Sequence, residues 1–328
     1  MTDVATTDQD PGLVLVVLDE GHTGVAPTAA ELIGAASLIG LPAVLTTSPA
    51  DVDELASLGA HTVFLAPAFG DALCVPLVDA AVAAFERCSP VAVITAHTVR
   101  GRDVAARCAV RLRRALLVDA TGVERDAQGI ITHHSNYGGA FSSTAAATHL
   151  SPVITLRVGS VDTRAQATQP QVVELEVTPS GARTAKVVEV TAIERTSTRP
   201  ELATADVVVA GGVSLGDEAM FEELVGGLAD ALGGAVGATR SAVDEGQVAY
   251  EAQIGQTGVV VSPKLYIGIG ISGAVQHLVG MQTAETIVAI NNDEDAPIFD
   301  ITDFGIVGDI FDLVPEIINE INMRKAAN

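Results

Sequence analysis

The stretch from Leu265 to Leu278 reads L-Y-I-G-I-G-I-S-G-A-V-Q-H-L. Leu265 to Ile267 is apolar and reads as a buried strand. Gly268, Gly270 and Gly273 follow in G-x-G-x-x-G spacing, and a helix pattern runs on through Ala274, Leu278 and Met281. Strand, glycine turn and helix start form the context in which that spacing serves a dinucleotide. The glycines let the backbone approach a pyrophosphate, and a helix N-terminus offers unpaired N–H groups and a positive dipole end. About 20 residues on, after an expected strand at Thr286 to Ile290, Asn291 and Asp293 stand where a ribose hydroxyl could be met. The pattern alone does not separate NAD from FAD. It also occurs as a plain strand-to-helix turn.

Upstream, Gly255, Gln256, Thr257 and Gly258 form a tight polar turn before the apolar Val259 to Val261. Asp206 to Ala210 reads as a buried strand running into Gly211 and Gly212. A helix is expected from Glu218 to Leu232, ended by Gly233 and Gly234, and then a short strand from Ala235 to Ala238. This is a βαβ unit, so an α/β domain begins here. Arg240 follows a strand end, where open α/β sheets bind ligands. It is one of only 18 Lys and Arg residues against 41 Asp and Glu. It can pair with a phosphate or stack on a ring, or form a salt bridge with Asp244 or Glu245. Gln276 and His277 fall in the first turns of the expected helix.

The first half tells a parallel story. Leu13 to Leu18, Ala43 to Thr46, Thr62 to Leu65, Val91 to Thr95 and Leu116 to Val118 read as strands. Helices are expected at Thr28 to Ile39, after Ser48-Pro49, at Leu77 to Phe85 and at Asp103 to Arg113. Ile130 to His133, Val153 to Val158, Val172 to Val177 and Ala185 to Val190 are short β runs with no helices between them. They are expected to make an antiparallel addition. Gly21 and Gly24 lack phosphate-loop spacing, which gives little support to a nucleotide site after the first strand. His97, His133 and His134 are polar candidates, each more simply a packed or solvated side chain. Arg195 to Thr204 is polar, contains Pro200 and reads as a linker.

The chain has 328 residues, enough for two domains of roughly 150 residues each. Its formal net charge of −23 argues against nucleic acid and against an anionic membrane surface. No apolar run approaches the ~20 residues of a membrane helix. The acidic, polar start from Met1 to Asp10 is unlike a signal peptide. Cys74, Cys88 and Cys108 fit neither a zinc site nor a C-x-x-C pair and read as small core residues in a reducing compartment. A cytoplasmic location is expected. No metal site, acid–base pair or activated nucleophile stands out.

The segment from Gly233 to Pro315 resembles the alpha subunit of electron transfer flavoproteins. Its elements are G-A-T-R (Gly237 to Arg240), Q-I-G-Q-T-G (Gln253 to Gly258), the stretch Leu265 to Leu278, V-A-I-N (Val288 to Asn291), A-P-I-F (Ala296 to Phe299) and D-F-G-I-V-G-D (Asp303 to Asp309). The likeness covers the last 120 or so residues well. It reaches the N-terminal half through the opening strand and the Tyr137-Gly138-Gly139 turn.

The resemblance implies an α/β protein with two Rossmann-like parallel-sheet domains. Residues 1–195 would pack on a partner subunit, 196–204 would form a hinge, and 205–328 would bind FAD. The implied FAD positions are Thr239 and Arg240, then Ile254, Gly255, Gln256 and Thr257. Ser272, Gly273, Ala274, Val275, Gln276 and His277 follow, with Asn291, Asp309 and Ile310 completing the set. His277 would sit at the N1/C2=O side of the flavin and Arg240 beside the ring. Thr257 would sit near N5 and Ser272 at the pyrophosphate, with Asn291 and Asp309 at the adenosine. The implied partners are an electron transfer flavoprotein beta subunit in a heterodimer, carrying AMP or a second FAD, electron-donating dehydrogenases such as acyl-CoA dehydrogenases, and a quinone oxidoreductase as acceptor. Such a protein is an electron carrier rather than an enzyme with its own substrate. The alternatives are an NAD-dependent oxidoreductase with His277 as acid/base, or a regulatory homologue without FAD. The family's usual G-G-R-G reads Gly211, Gly212, Val213, Ser214 here, so one cation is replaced.

Overall fold

The computed structural model describes residues 11–19, 24–70, 72–137, 139, 141–191 and 198–327. The chain divides into two compact units, 1–134 with 143–191, and 135–142 with 192–328.

The first sheet has nine strands. They are β1 (Leu13–Val17), β2 (Leu41–Thr46), β3 (Thr62–Leu65), β4 (Ala92–Ala96), β5 (Leu116–Arg125), β6 (Ile130–Asn136), β7 (Phe141–Ala146), β8 (Val153–Leu156) and β9 (Gln171–Glu174). The order across the sheet is β7-β6-β5-β8-β4-β1-β2-β3-β9. Side chains alternate along β1, and each set enters a different core. Val14 and Val16 pack with α1 (Ala29–Ile39) and with Leu55 of α2 (Val52–Ser57). Leu15 and Val17 pack with α3 (Val75–Cys88) and α4 (Val99–Leu112). A strand buried on both faces has no polar side, which is why Leu13 to Leu18 reads as a continuous apolar run.

Only part of the expected antiparallel addition forms. The β5 and β6 strands pair antiparallel. Val153 to Val158 instead supplies β8, parallel to both β4 and β5, and Val172 to Val177 supplies β9, parallel to β3. Chain order misled here: both runs return to the parallel sheet through irregular connections, with no helix to announce a crossover. Ala185 to Val190 makes a single bridge, Lys186 to Ala72, rather than a strand. The helix expected at Asp103 begins at Val99, because the Thr98 hydroxyl caps the amide of Gly101. The first unit is thus an α/β domain with an antiparallel ribbon at one side.

The buried carboxylates of this unit, Glu31 and Asp79, both accept hydrogen bonds. Asp79 on α3 is buried and accepts from the guanidinium of Arg111 on α4 and from the amide of Ser180 at 2.9 Å. Burial pushes its carboxyl up, but the Ser180 and Arg111 hydrogen bonds outweigh that and leave it below its ordinary 3.8. A lowered folded value means the pairing stabilises at neutral pH and fades as pH falls through that value. Arg111→Ala is expected to cost about 1–3 kcal/mol at pH 7. In urea titrations at several pH values, that cost shrinks toward acid.

The second sheet has five parallel strands in the order β11-β10-β12-β13-β14. They are β10 (Val207–Gly211), β11 (Ala235–Ala238), β12 (Leu265–Ile269), β13 (Thr286–Asn291) and β14 (Phe304–Val307). One face is covered by α5 (Glu218–Phe221), the π-helical turn Glu222–Gly226, α6 (Gly227–Leu232) and α9 (Ile310–Ala327), over Val209, Ile267 and Ile269. The expected helix at Glu218 to Leu232 forms with that π turn inside it. On the other face Val208, Ala210 and Tyr266 lie under Ile254, Val261, Met281 and Ile298, all from turns and short segments. The long helix expected after the glycine pattern is one turn, α8 (Val275–Leu278). α7 (Arg240–Asp244) is equally short.

Of the expected linker, residues 195–197 lie outside the described residues, as do Met1 to Asp10, Gly21 and Gly138. From Arg199 on, the stretch is held within the second unit. The Arg199 guanidinium reaches Glu222 at 2.5 Å and Asp230 at 2.7 Å.

Candidate functional site

In the order β11-β10-β12, chain direction across the sheet reverses beside β10. A switch of this kind opens a crevice outside the strands' carboxyl ends. A cleft of about 420 Å³ lies there. Gly212 and Val213 follow β10 into it, Thr239, Arg240 and Ser241 follow β11, and Gly270, Ile271 and Ser272 follow β12. Ligand clefts typically hold roughly 300–1,000 Å³.

The walls are built by close backbone approach. A Cβ on Gly212 would lie 2.0 Å from the Gly270 carbonyl oxygen, so that crossing admits only glycine. Behind the lining, Gly273 has φ +93°, and a Cβ there would meet the Ile298 amide nitrogen at 2.3 Å. Val213 is fixed through its carbonyl, which accepts from the buried Gln247 amide at 2.9 Å. The facing wall comes from two interlocked turns: the Gln256 amide donates to the Gln276 carbonyl at 3.0 Å, and the Gly255 amide to that of Val259 at 3.1 Å.

Polar side chains then take defined places. The Thr239 hydroxyl caps α7 by accepting from the Ala242 amide at 3.3 Å. Arg240, the first residue of α7, is exposed and forms the Asp244 ion pair at 3.2 Å. It is the one cationic side chain among the cleft's lining residues. The Thr257 hydroxyl accepts from the Gln253 amide at 2.8 Å, so its own proton can be donated elsewhere.

His277 is buried beneath this surface. Its Nδ1 lies 3.2 Å from the Ile254 carbonyl and its Nε2 lies 2.7 Å from the Tyr266 hydroxyl. Burial pushes the imidazole down to about 4, against a smaller upward pull from the Ile254 carbonyl, so the ring is neutral at pH 7.

Of the residues anticipated from sequence, Thr239, Arg240, Ile254, Gly255, Gln256, Thr257, Ser272, Ala274, Gln276 and His277 converge on this cleft. Gly273, Val275, Asn291, Asp309 and Ile310 do not line it. Asn291 uses its amide to donate to the Ile271 carbonyl at 2.9 Å and to accept from the Asp293 amide at 3.0 Å. It braces the loop behind Ile271. Asp309 accepts from the Phe311 amide at the start of α9, and Ile310 is buried in the core. Lining residues absent from the expectation include Ser241 and Gln253. Gln253 opens the Q-I-G-Q-T-G element and was legible there, whereas Ser241 carries no signal of its own.

The other candidates have structural partners in the first unit. His97 contacts the Thr155 hydroxyl at 2.8 Å and lies 3.8 Å from Asp119, which Arg157 grips at 2.6 Å. His133 faces Glu124 at 3.4 Å, and His134 the Val118 carbonyl at 3.0 Å. Cys74 and Cys108 are buried, Cys88 is partly so, and burial pushes the Cys74 and Cys88 thiols up to about 11. Among the described residues, no three His, Cys, Asp or Glu side chains group to hold a metal, and no helix is long and apolar enough to cross a membrane.

A glycine-walled cleft at the switch point of an open parallel sheet, lined by one cation and several hydroxyls, defines a nucleotide-cofactor domain. Residues 201–282 match the electron transfer flavoprotein FAD-binding domain, and residues 14–194 match the electron transfer flavoprotein domain. The chain is 43% identical over 318 residues to the electron transfer flavoprotein subunit alpha of Mycobacterium leprae, covering 95% of this chain and 98% of that one. It is 41% identical to that of Mycobacterium tuberculosis H37Rv, covering 95% and 99%. It is 42% identical to that of Syntrophomonas wolfei, covering 73% and 75%. The chain belongs to the electron transfer flavoprotein alpha subunit family and is an electron carrier with a FAD-binding domain.

Proposed function

We propose that the cleft at the ends of β10, β11 and β12 holds FAD, and that this subunit, paired with a beta-type subunit, carries electrons from dehydrogenases such as acyl-CoA dehydrogenases to a quinone reductase. The carrying observation is that three strand ends and two interlocked turns bring Arg240, Thr257 and His277 to one cleft inside the part of the chain that matches the FAD-binding domain. Bound FAD supplies the redox chemistry at its ring system.

The chain's own residues bind and orient. The turn Gly212–Val213 and the loop Gly270–Ser272 present backbone close enough for a pyrophosphate. Arg240 offers the positive charge, and the Thr257 hydroxyl offers a donor. The His277 ring, held by the Tyr266 hydroxyl and the Ile254 carbonyl, lines the cleft from beneath, at the side where the resemblance puts the flavin N1/C2=O. Asn291 and Asp309, placed by the resemblance at the adenosine end, would act on it through the Ile271 loop and the start of α9. The hinge proposed at 196–204 would let the FAD-binding domain turn between donor and acceptor.

The test is the visible absorption spectrum of the chain purified with a co-expressed beta-type subunit. Bound flavin that accepts electrons supports the reading. A stable, colourless pair that ignores added FAD refutes it. In the same preparation, Arg240→Ala is expected to raise the FAD dissociation constant by up to about fivefold. The effect is held to that range because the guanidinium is exposed and already shared with Asp244.

A further inference from the structure

Tyr266 is fully buried in the middle of the second sheet, yet it carries a hydroxyl. A buried hydroxyl without a partner costs about 1–3 kcal/mol, so its single contact, the His277 Nε2 at 2.7 Å, has to be a hydrogen bond. The direction of that bond follows from the other ring nitrogen. The Ile254 carbonyl can only accept, so Nδ1 carries the proton. In a neutral ring Nε2 then accepts, and Tyr266 donates. The ring is held at both nitrogens, by a strand on one side and by the 253–258 turn on the other. No rotation about its side-chain bonds keeps both contacts.

We propose that Tyr266 is a positioning residue for the cofactor cleft: its hydroxyl fixes the tautomer and orientation of His277, and through that ring the wall on which FAD rests. This rests on the reading that the cleft holds FAD. Tyr266 itself does not line the cleft and acts only through His277. Recognition of the cofactor on this side is therefore set by a residue one layer below the surface it touches. Without cofactor the imidazole is held in one orientation and uncharged, and Arg240 is the one lysine or arginine among the lining side chains.

Tyr266→Phe removes one oxygen and keeps the ring that fills the core. The experiment uses the full chain purified with its beta-type subunit, labelled with ¹⁵N-histidine, with and without FAD. The expected wild-type signature for His277 in the complex without FAD is a protonated Nδ1 and an unprotonated Nε2. In Tyr266→Phe the Nε2 resonance shifts, and the FAD dissociation constant rises about two- to tenfold, as loss of one hydrogen bond predicts. Phe64→Leu, on the buried β3 of the first unit, controls for a general loss of aromatic packing and should leave both readouts unchanged. A wild-type ring protonated at Nε2 in the complex without FAD overturns the proposal. So does a Tyr266→Phe variant whose folded complex binds FAD with unchanged affinity. A wild-type complex that binds no FAD overturns the functional reading and this proposal together, which sets that failure apart from the other two.

Discussion

Gly212→Ala is expected to reduce FAD binding by about five- to 150-fold and to destabilise the second unit. The backbone of Gly212 has ordinary extended angles, so the cause is not conformational. Its Cβ would sit 2.0 Å from the Gly270 carbonyl oxygen and 2.7 Å from the carbonyl carbon. Neither is a flexible side-chain end, so the loops after β10 and β12 have to part. The Gly212 amide also donates to the Ile269 carbonyl at 2.9 Å, and that bond opens as they do. Overpacking of this kind costs about 1–3 kcal/mol, and every 1.4 kcal/mol lost from the bound state is tenfold in affinity. Gly70→Ala is the control, because nothing lies within 4 Å of its Cβ. Flavin titration of the two variants beside wild type checks the pair. Equal affinity in all three would show that the crossing of the two loops does not shape the site.

Glu31→Ala is expected to be the most destabilising change in the first unit. Glu31 sits on α1 with 7% of its surface exposed. One carboxylate oxygen accepts from the Ser160 and Val161 amides at 2.8 and 3.0 Å, and the other from the Gly159 amide at 3.0 Å. The loop after β8 thus folds around a single side chain from a helix 128 to 130 residues earlier. Alanine leaves three donors without an acceptor. Each unpaired buried group costs about 1–3 kcal/mol, and partial relaxation brings the expected total to about 3–5 kcal/mol. Glu31→Gln keeps one oxygen but sets an N–H₂ group against at least one amide, so it falls between. Urea unfolding gives the ranking, and an alanine variant as stable as the glutamine variant would refute this account.

These two positions also mark what sequence could and could not convey. The strands β1, β3 and β10 to β13 were legible because strands buried on both faces leave uninterrupted apolar runs. The parallel placement of β8 and β9 was not, because a strand's partner depends on where an irregular connection lands. The exposed β7, F-S-S-T-A-A, has no apolar alternation to announce it. At the site, residues carried by contiguous elements such as Gln253 to Thr257 were readable as motifs. The glycine pattern over-promised a helix: G-x-G-x-x-G spacing constrains the turn but not the length of the helix after it, and α8 ends after one turn. His277 was legible as a residue of the cleft, through the motif that carries it. Its partner Tyr266 was invisible, since a tyrosine in an apolar strand reads as core until its hydroxyl is seen to meet an imidazole.

The cleft walls are largely main chain: crossing loops, interlocked turns, and carbonyls pinned from behind, as Gln247 pins that of Val213. A ligand held this way is recognised by the path of the chain more than by the side chains along it. Val213 and Ala274 also line the cleft, so there the site takes its surface from side chains carried on that trace. Gly212 and Gly273 cannot accept even a methyl group. The valine at position 213, where the resemblance implies a cation, keeps the path of the main chain and alters only the surface that path presents.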